Sequence, residues 1–595
     1  MSGQSSDRLT AFEIDGPHGD RERIEDGNAV ASNLAPTADR HLRMTNSLCP
    51  VCAAEERYAD MVIPMVVYEE EGEIRLAKEC EEHGEFRDVY WSDADLYYRA
   101  RQWEETDDHL ETHHVVPDED GITCPTDCGL CPLHKTHTGL GNITVTNRCD
   151  LNCWYCFFYA QEDDPIYEPT HDEIREMVRS MTAEEPIGNN AVQITGGEPT
   201  IRDDIVEVVE TVADEVDHIQ LNTHSGRLAR DEELARDLRD AGVNTIYTSF
   251  DGVTPETNAK NFWEIPDAIR TYRKVGLANV LVPTLIGGQN MDEVGDIVRF
   301  AAANADTIRG VNFQPVSLVG RMPDHERKEQ RVTADAWYPI PSVLPVSEFS
   351  QTWNAAPLYE LSNHFACGMA TYVYEDGESL VPITDFFEVG PFLQALREIA
   401  DAYDEPLSTF EKARVGARLA WELHQAIDRR AEPEGVHIGR WLLEGLTAGT
   451  YEGLVEFHEN SLFLGMMHFM DPYNYDVDRV ERCDIHYAMP DGRVVPFCAY
   501  NVLPGLYRDA THERFSVSAE EWSEREYAAL TDAESPDTTR LRSEMVTGRE
   551  EDDQFLRDGP GVYGYDVKRR RTLDEDEKER IRESYRRAIE DFEPV

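Results

Sequence analysis

The chain has 595 residues, with 56 Lys and Arg against 117 Asp and Glu, so its formal net charge at neutral pH is −61. This charge argues against a nucleic-acid partner, because phosphate backbones are bound by clustered Lys and Arg. Only 8 of the 56 basic residues are Lys, and the acidic residues are spread along the whole chain. Because molar salt screens such self-repulsion, the composition predicts a halophilic, archaeal source.

The sequence shows no targeting signal or membrane span. No run of about 18 apolar residues occurs, and the polar N-terminus lacks the apolar core of a signal peptide. The twelve cysteines therefore predict metal sites in a reducing compartment rather than disulfides. We expect a cytoplasmic protein of about three or four domains, with a peripheral contact to a membrane left open.

The first 95 residues divide into two predicted parts. Residues 1–44 are rich in Asp, Gly, Ser and Arg without an apolar period, which predicts a disordered acidic N-terminus. Residues 45–95 contain a Cys-x2-Cys knuckle, an alternating apolar stretch and a Cys-x2-His knuckle, which together predict a Cys3His metal ribbon. Zinc is the first choice of metal, and a rubredoxin-like iron is the second. The predicted ligands are Cys49, Cys52, Cys80 and His83. An ordinary loop position remains the alternative for His83.

Two cysteine triads follow, and both have three and then two intervening residues. The first, in a predicted linker at 96–139, consists of Cys124, Cys128 and Cys131. The second, after a strand-like run, consists of Cys149, Cys153 and Cys156. Three thiolates can bind three irons of a 4Fe–4S cluster and leave the fourth iron open, so the second triad is a candidate catalytic centre. A structural knuckle or a ferredoxin site is its alternative. We expect the first triad to hold an auxiliary cluster, with zinc as the competing interpretation.

Residues 140–320 alternate between apolar strand-like runs and amphipathic helical stretches. Strands are predicted at 142–147, 191–195, 218–223, 244–250, 278–286 and 310–316. Helical stretches include 203–216 and 231–241. Six βα units predict an α/β fold with a partial, TIM-like (β/α)6 barrel, in which ligands collect at the carboxyl ends of the strands. Gly196-Gly197-Glu198-Pro199 ends the second strand and should lie beside the second triad.

The succession of strand, cysteine loop, helix and Gly-Gly-Glu-Pro strand resembles the radical S-adenosylmethionine (SAM) enzymes. Tyr155 before the last cysteine and the distance to Gly196 agree with that family and favour the second triad as the SAM-binding cluster. The resemblance implies that the open iron binds SAM, whose cleavage gives a 5′-deoxyadenosyl radical. The implied SAM-binding candidates are Tyr155, Gly196, Gly197, Glu198, Asn222, Ser249 and Asp251. The glycines would let the backbone approach SAM, and Glu198 would fix the local turn. A Ser or Asp at the end of a strand is as typical of a turn or a helix cap as it is of a SAM contact.

Residues 321–510 are predicted to form a separate α+β region that does not continue the barrel. A Pro- and Ser-rich stretch at 337–342 indicates its boundary. Hairpins are predicted at 371–377 and 485–495, the second with Asp-Gly at its turn. A helical region is predicted at 392–430.

The region 321–510 also contains the last three cysteines. They are Cys367, Cys483 and Cys498. These thiols predict a second auxiliary iron–sulfur cluster, and free buried cysteines are the alternative. Residues 511–595 are predicted as a charged, partly helical tail with one helix at 573–590.

The order of parts resembles the archaeal group that contains the tetraether lipid synthases and the pterin-methylating radical SAM enzymes. The resemblance covers about residues 45–505. It implies, as first choice, C–C bond formation between archaeal lipid chains, and as the alternative, methylation of a pterin or another small molecule. An external donor such as ferredoxin or flavodoxin would supply electrons. A non-enzymatic iron–sulfur carrier is the hypothesis from another class, and it leaves the Gly-Gly-Glu-Pro strand unexplained.

Overall fold

The structure is a computed structural model of the chain. It describes residues 29–101, 110–115, 121–151, 153, 155–156, 158, 165–319, 331–333, 364–376, 379–388, 391–392, 395, 409–448, 460–518, 521 and 573–595. Within these ranges, no helix is both long and apolar enough to cross a bilayer.

The N-terminal part is an antiparallel sheet in the order β1-β2-β3-β4. Its elements are α1 (Ala29–Leu34), β1 (Arg40–Leu48), α2 (Pro50–Ala54), β2 (Val62–Glu70), β3 (Glu73–Cys80), β4 (Gly84–Trp91) and α3 (Ala94–Arg101). Glu71 and Gly72 form the turn between β2 and β3 with φ of 53° and 82°. Two successive positive φ angles are typical of the type I′ turn that matches the twist of a hairpin.

The predicted disorder of residues 1–44 is wrong for residues 29–44, the part of that segment which the structure describes. Ala31 and Leu34 of α1 are buried against Val66 of β2 and Ala77 of β3. Strand β1 pairs with β2 along its length. The apolar residues of this segment are few and show no period, so the sequence alone gives no sign that the segment is folded. Most of the sheet on which they pack is formed by residues further along the chain.

The six predicted strands and both helical stretches between residues 140 and 316 are confirmed. The strands are β5 (Leu140–Thr146), β6 (Ala191–Gly196), β7 (His218–Thr223), β8 (Val243–Ser249), β9 (Ala278–Val282), β10 (Thr284–Leu285) and β11 (Ile308–Pro315). The fifth predicted strand, at 278–286, is thus divided into β9 and β10. The helices are α4 (His171–Thr182), α5 (Ile205–Ala213), α6 (Glu232–Ala241), α7 (Ile265–Val275) and α8 (Val294–Ala303), with 3₁₀ turns at Pro199–Ile201 and Met291–Glu293. Thr170 begins α4 with a capping box, which satisfies its first backbone N–H groups.

The parallel sheet does not end at β11, and here the structure differs from the prediction for residues 321–510. Strand β14 (Leu462–Met467) pairs in parallel with β11, and β15 (Ile485–Ala488) pairs in parallel with β5. The two predicted hairpins are present as β12 (Gly368–Asp376) with β13 (Ser379–Pro382), and as β15 with β16 (Val494–Pro496). The strand order is β13-β12-β14-β11-β9-β8-β7-β6-β5-β15-β16. The barrel therefore contains eight parallel strands.

The two faces of this sheet differ in polarity. Outward residues such as Ile194 and Leu221 are buried among the helices. On the inner face, neighbouring strands place Asn142, Gln193 and Gln220 in register. Gln193 Nε2 donates to Gln220 Oε1 at 3.2 Å. The interior thus presents amides where a closed TIM barrel packs branched apolar side chains.

The remaining helices surround the carboxyl end of the sheet and its outer face. They are α9 (Thr409–Ala426), α10 (Ile438–Ala448), α11 (Val477–Glu481), α12 (Phe497–Val502), α13 (Arg508–Phe515) and α14 (Glu575–Asp591), with a 3₁₀ turn at Ile383–Asp385. The predicted helix at 573–590 is confirmed as α14, but it is part of the core. Tyr585 stacks on Phe262 and Phe300 at 4.2 and 4.8 Å between ring centroids. Part of the predicted helical region at 392–430 is α9, and residues 396–408 lie outside the described residues.

Candidate functional site

The second cysteine triad lies in the loop that follows β5, at the carboxyl end of the parallel strands. Cys149, Cys153 and Cys156 are each partly exposed. Leu151 N donates to Cys149 Sγ at 3.4 Å, and Phe158 N donates to Cys156 Sγ at 3.3 Å. Backbone donors of this kind stabilise a negatively charged sulfur, so the loop is suited to thiolate ligands.

The two glycines of the Gly-Gly-Glu-Pro segment allow its backbone to touch the start of the cysteine loop. A Cβ on Gly196 would stand 2.2 Å from Thr146 O, and one on Gly197 would stand 2.0 Å from Arg148 O. Gly197 N donates to Thr146 O at 2.8 Å, and the next amide donates to Arg148 O at 2.7 Å. The observed close approach is therefore to β5 and its loop, while the approach to SAM stays a prediction.

Glu198 fixes the turn after β6, as the sequence analysis suggested. Its side chain is 2 % exposed and accepts from Thr200 N at 3.1 Å. It also accepts from Thr223 Oγ1 at 2.7 Å and from His224 N at 2.8 Å. The carboxylate thus ties the end of β6 to the end of β7.

His224 extends this connection to the cysteine loop. Its Nε2 lies 2.6 Å from Asp150 Oδ1 and 3.3 Å from Glu198 Oε2. All three side chains are buried. Because Asp150 directly follows Cys149, the histidine joins the start of the cysteine loop to the Gly-Gly-Glu-Pro turn.

Tyr155 is fixed to the end of β8 through a buried ion pair. Its hydroxyl donates to Asp251, and Lys260 Nζ lies 2.7 Å from Asp251 Oδ2 and 3.2 Å from the Tyr155 oxygen. Asp251 Oδ1 accepts from Thr284 N at 3.0 Å. Burial and the charge of Asp251 raise the pKa of Tyr155 well above its usual value, so the phenol stays a neutral donor. Both Asp251 carboxylate oxygens thus have hydrogen-bond or ion-pair partners within the protein.

The other two candidates at the strand ends are half-buried. Asn222 Nδ2 donates to Thr195 Oγ1 at 3.2 Å across the inner face. The backbone oxygen of Ser249 accepts from Asn261 Nδ2 at 2.7 Å. The structure therefore brings the predicted SAM-binding residues of β6, β7 and β8 to the same end of the barrel as the cysteine loop.

The N-terminal ribbon brings its four predicted ligands together. The three sulfur atoms lie 3.4, 3.4 and 3.5 Å from His83 Nδ1. Cys52 Sγ lies 4.0 Å from Cys80 Sγ. Tetrahedral zinc, with Zn–S of about 2.3 Å and Zn–N of about 2.0 Å, requires S···N near ~3.5 Å and S···S near ~3.8 Å. The arrangement fits one tetrahedral ion, and among the described residues no other set of three or more ligands gathers within 4.8 Å.

The first triad lines a small pocket beside α11 and β16. The lining includes Cys124, Cys128, Cys131, His134, Val480 and Pro496. Tyr507 spans the triad, since its hydroxyl accepts from Cys128 N at 3.0 Å and donates to Pro125 O at 2.5 Å. A hydrogen bond with Cys128, together with burial, raises the pKa of Cys124 well above its usual value. A bound metal would reverse this shift, because a coordinating thiol is deprotonated.

The last three cysteines meet in one buried region although they are far apart in sequence. Burial, followed by the proximity of Cys498 and Cys367, raises the pKa of Cys483. Buried Arg479 donates from Nε to Cys367 Sγ at 3.2 Å. Met470 N donates to Cys498 Sγ at 3.5 Å. These contacts place Cys367 and Cys498 beside buried protein groups, and a second auxiliary cluster at the three thiols stays a prediction.

Comparison with known proteins decides the family. The chain matches the model of the radical SAM superfamily at residues 143–301, and an HMPTM N-terminal zinc ribbon domain at residues 41–92. It is 39 % identical over 508 residues to a Methanocaldococcus jannaschii protein named 7,8-dihydro-6-hydroxymethylpterin dimethyltransferase, across 81 % of this chain and 97 % of that protein. The chain belongs to the radical SAM superfamily. It is a radical SAM enzyme, and the predicted fold class, a radical SAM barrel with an N-terminal ribbon, is confirmed.

Other proteins are similar to a smaller share of the chain. GTP 3′,8-cyclase of Listeria monocytogenes serotype 4b is 33 % identical over 189 residues, which are 30 % of this chain and 55 % of that enzyme. Streptococcus suis SuiB bound to SAM matches with 17 % identity and a TM-score of 0.28, over 33 % of this chain and 44 % of SuiB. A radical SAM methyltransferase from Sphaerobacter thermophilus matches with 14 % identity and a TM-score of 0.24, over 46 % of this chain and 70 % of that enzyme.

Membership in the superfamily implies a 4Fe–4S cluster and SAM. The observed donors fit these groups, because a partly exposed thiol triad with backbone N–H donors lies at the carboxyl end of the strands. His224 and Lys260 are site residues that the sequence analysis missed. A sequence signal existed for each: His224 follows the strand-end Asn222 by two residues, and Lys260 is one of only 8 lysines in the chain.

Proposed function

We propose that this chain is a radical SAM enzyme that methylates a carbon of a pterin, with 7,8-dihydro-6-hydroxymethylpterin as the substrate. The observation that carries the proposal is the similarity to the Methanocaldococcus jannaschii pterin dimethyltransferase, which extends over 97 % of that protein. The similarity therefore includes the ribbon and the regions after the barrel, and not only the part that radical SAM enzymes share.

The proposed cofactor sites use the cysteines, the histidine and the strand-end residues that the sequence singles out. In this proposal Cys149, Cys153 and Cys156 bind the cluster whose open iron binds SAM, and SAM supplies a 5′-deoxyadenosyl radical. The proposed SAM contacts are Tyr155, Gly196, Gly197, Glu198, Asn222, Ser249 and Asp251. The proposed ligands of the two auxiliary clusters are Cys124, Cys128 and Cys131, and Cys367, Cys483 and Cys498. Zinc is the proposed metal of the ribbon at Cys49, Cys52, Cys80 and His83, and ferredoxin or flavodoxin the proposed electron donor.

The polarity of the barrel interior supports a pterin over a lipid chain. Asn142, Gln193 and Gln220 lie in register on the inner face, and Asn142 and Gln193 are nearly buried. Asn142 Nδ2 donates to His486 O, and Gln193 bonds to Gln220. A lipid alkyl chain would leave the remaining amide groups of the two glutamines without hydrogen-bond partners, which costs free energy for each group. A pterin carries N–H donors and ring nitrogen acceptors that can serve as those partners. C–C bond formation between lipid chains, the first choice of the sequence analysis, thus has less support than its alternative.

The test is an anaerobic assay in molar KCl. The purified enzyme is reconstituted with iron and sulfide and is given SAM, dithionite and 7,8-dihydro-6-hydroxymethylpterin. We expect 5′-deoxyadenosine together with a pterin that carries one or two added methyl groups, detected by mass spectrometry. Archaeal diether lipid in place of the pterin is the matched control and should remain unchanged.

The same assay distinguishes the competing hypotheses. A non-enzymatic iron–sulfur carrier would form no 5′-deoxyadenosine. Joined lipid chains, with an unchanged pterin, would show that the lipid hypothesis is correct. SAM with a deuterated methyl group then identifies the methyl source, because the product mass differs according to whether the methyl comes from SAM or from a second one-carbon donor.

A further inference from the structure

We infer that Asn312, Gly465 and Phe463, on the inner face of β11 and β14, form the site that holds the flat ring of the substrate. This inference rests on the proposed function and assigns residues to its substrate. The predicted SAM-binding residues come from the cysteine loop and from β6, β7 and β8. The site inferred here lies on β11 and β14, which are not among the strands that carry the predicted SAM-binding residues.

The strand register places these side chains next to one another. Asn312 of β11 pairs with Gly465 of β14, and Phe463 pairs with Gly310 on one side and with Tyr372 of β12 on the other. All five residues therefore point to the same face, which is the inner one. Phe463 and Tyr372 meet edge to face, with 5.6 Å between their ring centroids.

Two glycines leave the space that the Phe463 ring occupies. A Cβ on Gly465 would stand 2.7 Å from Phe463 Cε1 and 3.2 Å from Asn312 Oδ1. A Cβ on Gly310 would stand 3.0 Å from Phe463 Cδ1. A Cβ on Gly465 would thus meet both the Phe463 ring and the Asn312 oxygen, so the ring and the amide border the same space above Gly465. Phe463 and Tyr372 are both partly exposed, so each offers ring surface to a ligand.

Asn312 provides the second, independent observation. Its side chain is 6 % exposed, and its Oδ1 has no hydrogen-bond partner among the residues that the structure describes. An unsatisfied buried acceptor is costly and uncommon in folded proteins, which indicates a group reserved for a ligand. The neighbouring outward residues, Val311 and Phe313, are fully buried among apolar side chains, so this acceptor belongs to the inner face alone.

The chemistry of the site matches a flat heterocycle with N–H donors along one edge. Aromatic rings stack with such a heterocycle in offset or edge-to-face geometry, which Phe463 and Tyr372 can provide. The Asn312 oxygen would accept from an amino or ring N–H group of the substrate. A site built to hydrogen-bond a polar group discriminates strongly against analogues that lack it, because its own polar atom is then left unpaired.

The test measures binding without turnover. The enzyme is reconstituted with its clusters and loaded with SAM, with no reductant, in molar KCl. It is titrated with 7,8-dihydro-6-hydroxymethylpterin, and the fluorescence of the pterin is followed. Asn312→Leu removes the acceptor at similar volume and should weaken binding about tenfold or more. Asn312→Asp keeps an acceptor and should bind within about threefold of the wild type.

A second pair of variants tests the site without changing the Asn312 side chain. Gly465→Ala should weaken binding by a similar factor, because its Cβ displaces the Phe463 ring and crowds the Asn312 oxygen. Gly416→Ala, on α9 with nothing within 4 Å of its Cβ, is the matched control and should bind as the wild type does. Thermal unfolding of every variant shows whether it is folded.

The outcomes separate the two proposals. If the wild type binds the pterin, and Asn312→Leu and Gly465→Ala bind it with unchanged affinity, the inferred site is wrong. The proposed function would still stand. Equal losses in Asn312→Leu and Asn312→Asp would overturn the acceptor role of Asn312. No binding by the wild type, while it still cleaves SAM when reduced, would overturn both the proposed function and the site.

Discussion

His224 Nε2 lies 2.6 Å from Asp150 Oδ1, and this contact joins the cysteine loop to the end of β7. The same nitrogen lies 3.3 Å from Glu198 Oε2, so one imidazole is shared by the cluster loop and the Gly-Gly-Glu-Pro turn. Asp150 and Glu198 are nearly buried, and His224 is the group that both carboxylates contact. We therefore assign His224 a positioning role for the first cluster ligand.

The first prediction concerns this role. In His224→Gln the two buried carboxylates lose their common partner, which should reduce stability by about 2 kcal/mol and leave the loop less ordered. We expect less iron and sulfide per protein after reconstitution and a weaker SAM-induced change in the electron paramagnetic resonance of the reduced cluster. His218→Gln, at the other end of β7, is the control. Equal iron content and equal spectra in both variants would show that His224 does not position the loop.

The second prediction concerns the buried ion pair beside Tyr155. Lys260 and Asp251 are 3 % and 5 % exposed, so Lys260→Met leaves an uncompensated buried carboxylate. Removal of one partner of a buried pair typically costs about 3–5 kcal/mol. The measurement is the free energy of unfolding by urea at constant molar KCl. Lys274→Met is the control, because Lys274 is 64 % exposed in its pair with Glu232 and should contribute less than about 1 kcal/mol.

The ion-pair prediction has an internal check. Lys260→Met combined with Asp251→Asn removes both charges, and it should recover part of the stability that Lys260→Met loses. If the double variant is as unstable as the sum of the single variants, the two side chains do not interact energetically.

The third prediction concerns the metal of the ribbon. Wild-type protein should contain one zinc per chain by elemental analysis, and His83→Ala should lose it while the iron content of the reconstituted barrel is retained. His41→Gln, another ribbon histidine that contacts Ala35 O at 2.9 Å, should keep the zinc. One additional iron per chain in place of zinc would identify a rubredoxin-like site.

Removal of the ribbon metal should depend on pH. Burial raises the pKa of the Cys52 thiol to about 12, whereas for Cys80 the backbone N–H groups of Glu82 and His83 outweigh burial and lower the pKa to about 7. Metal binding must release these protons, so the apparent zinc affinity should fall as the pH is lowered through about 7. Competition with a chromogenic chelator at several pH values measures it, and a pH-independent affinity would contradict thiolate ligation.

The fourth prediction concerns Glu184, which accepts from Thr138 N and Thr138 Oγ1, each at 2.6 Å. Burial raises its pKa from 4.5 to about 7. Between these values the folded state binds more protons than the unfolded state, so stability should decrease as the pH rises from about 4.5 to about 7, by roughly 3 kcal/mol. Urea unfolding at pH 5 and pH 7.5 should show this difference. Glu184→Gln should remove it, and exposed Glu185→Gln should retain it.

The sequence predicted the central strands because each is a short apolar run between helices of clear amphipathic period. It could not predict that β14 and β15 complete the parallel sheet. Leu462–Met467 and Ile485–Ala488 are short segments, and nothing within them indicates a partner strand more than a hundred residues earlier. A strand is recognised from local pattern, but its neighbour is set by the three-dimensional arrangement of the whole chain.

The candidate site likewise contains some residues that local spacing predicts and others that only the folded chain brings into place. Spacing identified the ribbon ligands and the cysteine loop, because metal ligands occur at fixed local separations. Lys260 and His224 act through contacts with Tyr155 and Asp150, which lie 105 and 74 residues earlier in the sequence, and neither belongs to a local motif. The sequence also favoured a lipid substrate, which has less support than its pterin alternative, for a related reason. The polarity of the barrel interior becomes visible only when the inward residues of separate strands, such as Gln193 and Gln220, are seen to share one face.

The pairing of β15 with β5 has a consequence for the order of events during synthesis. Strand β5 carries the cysteine loop, but its second neighbour appears only when the ribosome has reached residue 488. Until then β5 is an open edge of the nascent barrel and a site for intermolecular strand pairing. The segment 140–320 expressed alone would leave β5 and β11 as open edges and should aggregate, so the cysteine loop depends on the last third of the chain for its protection.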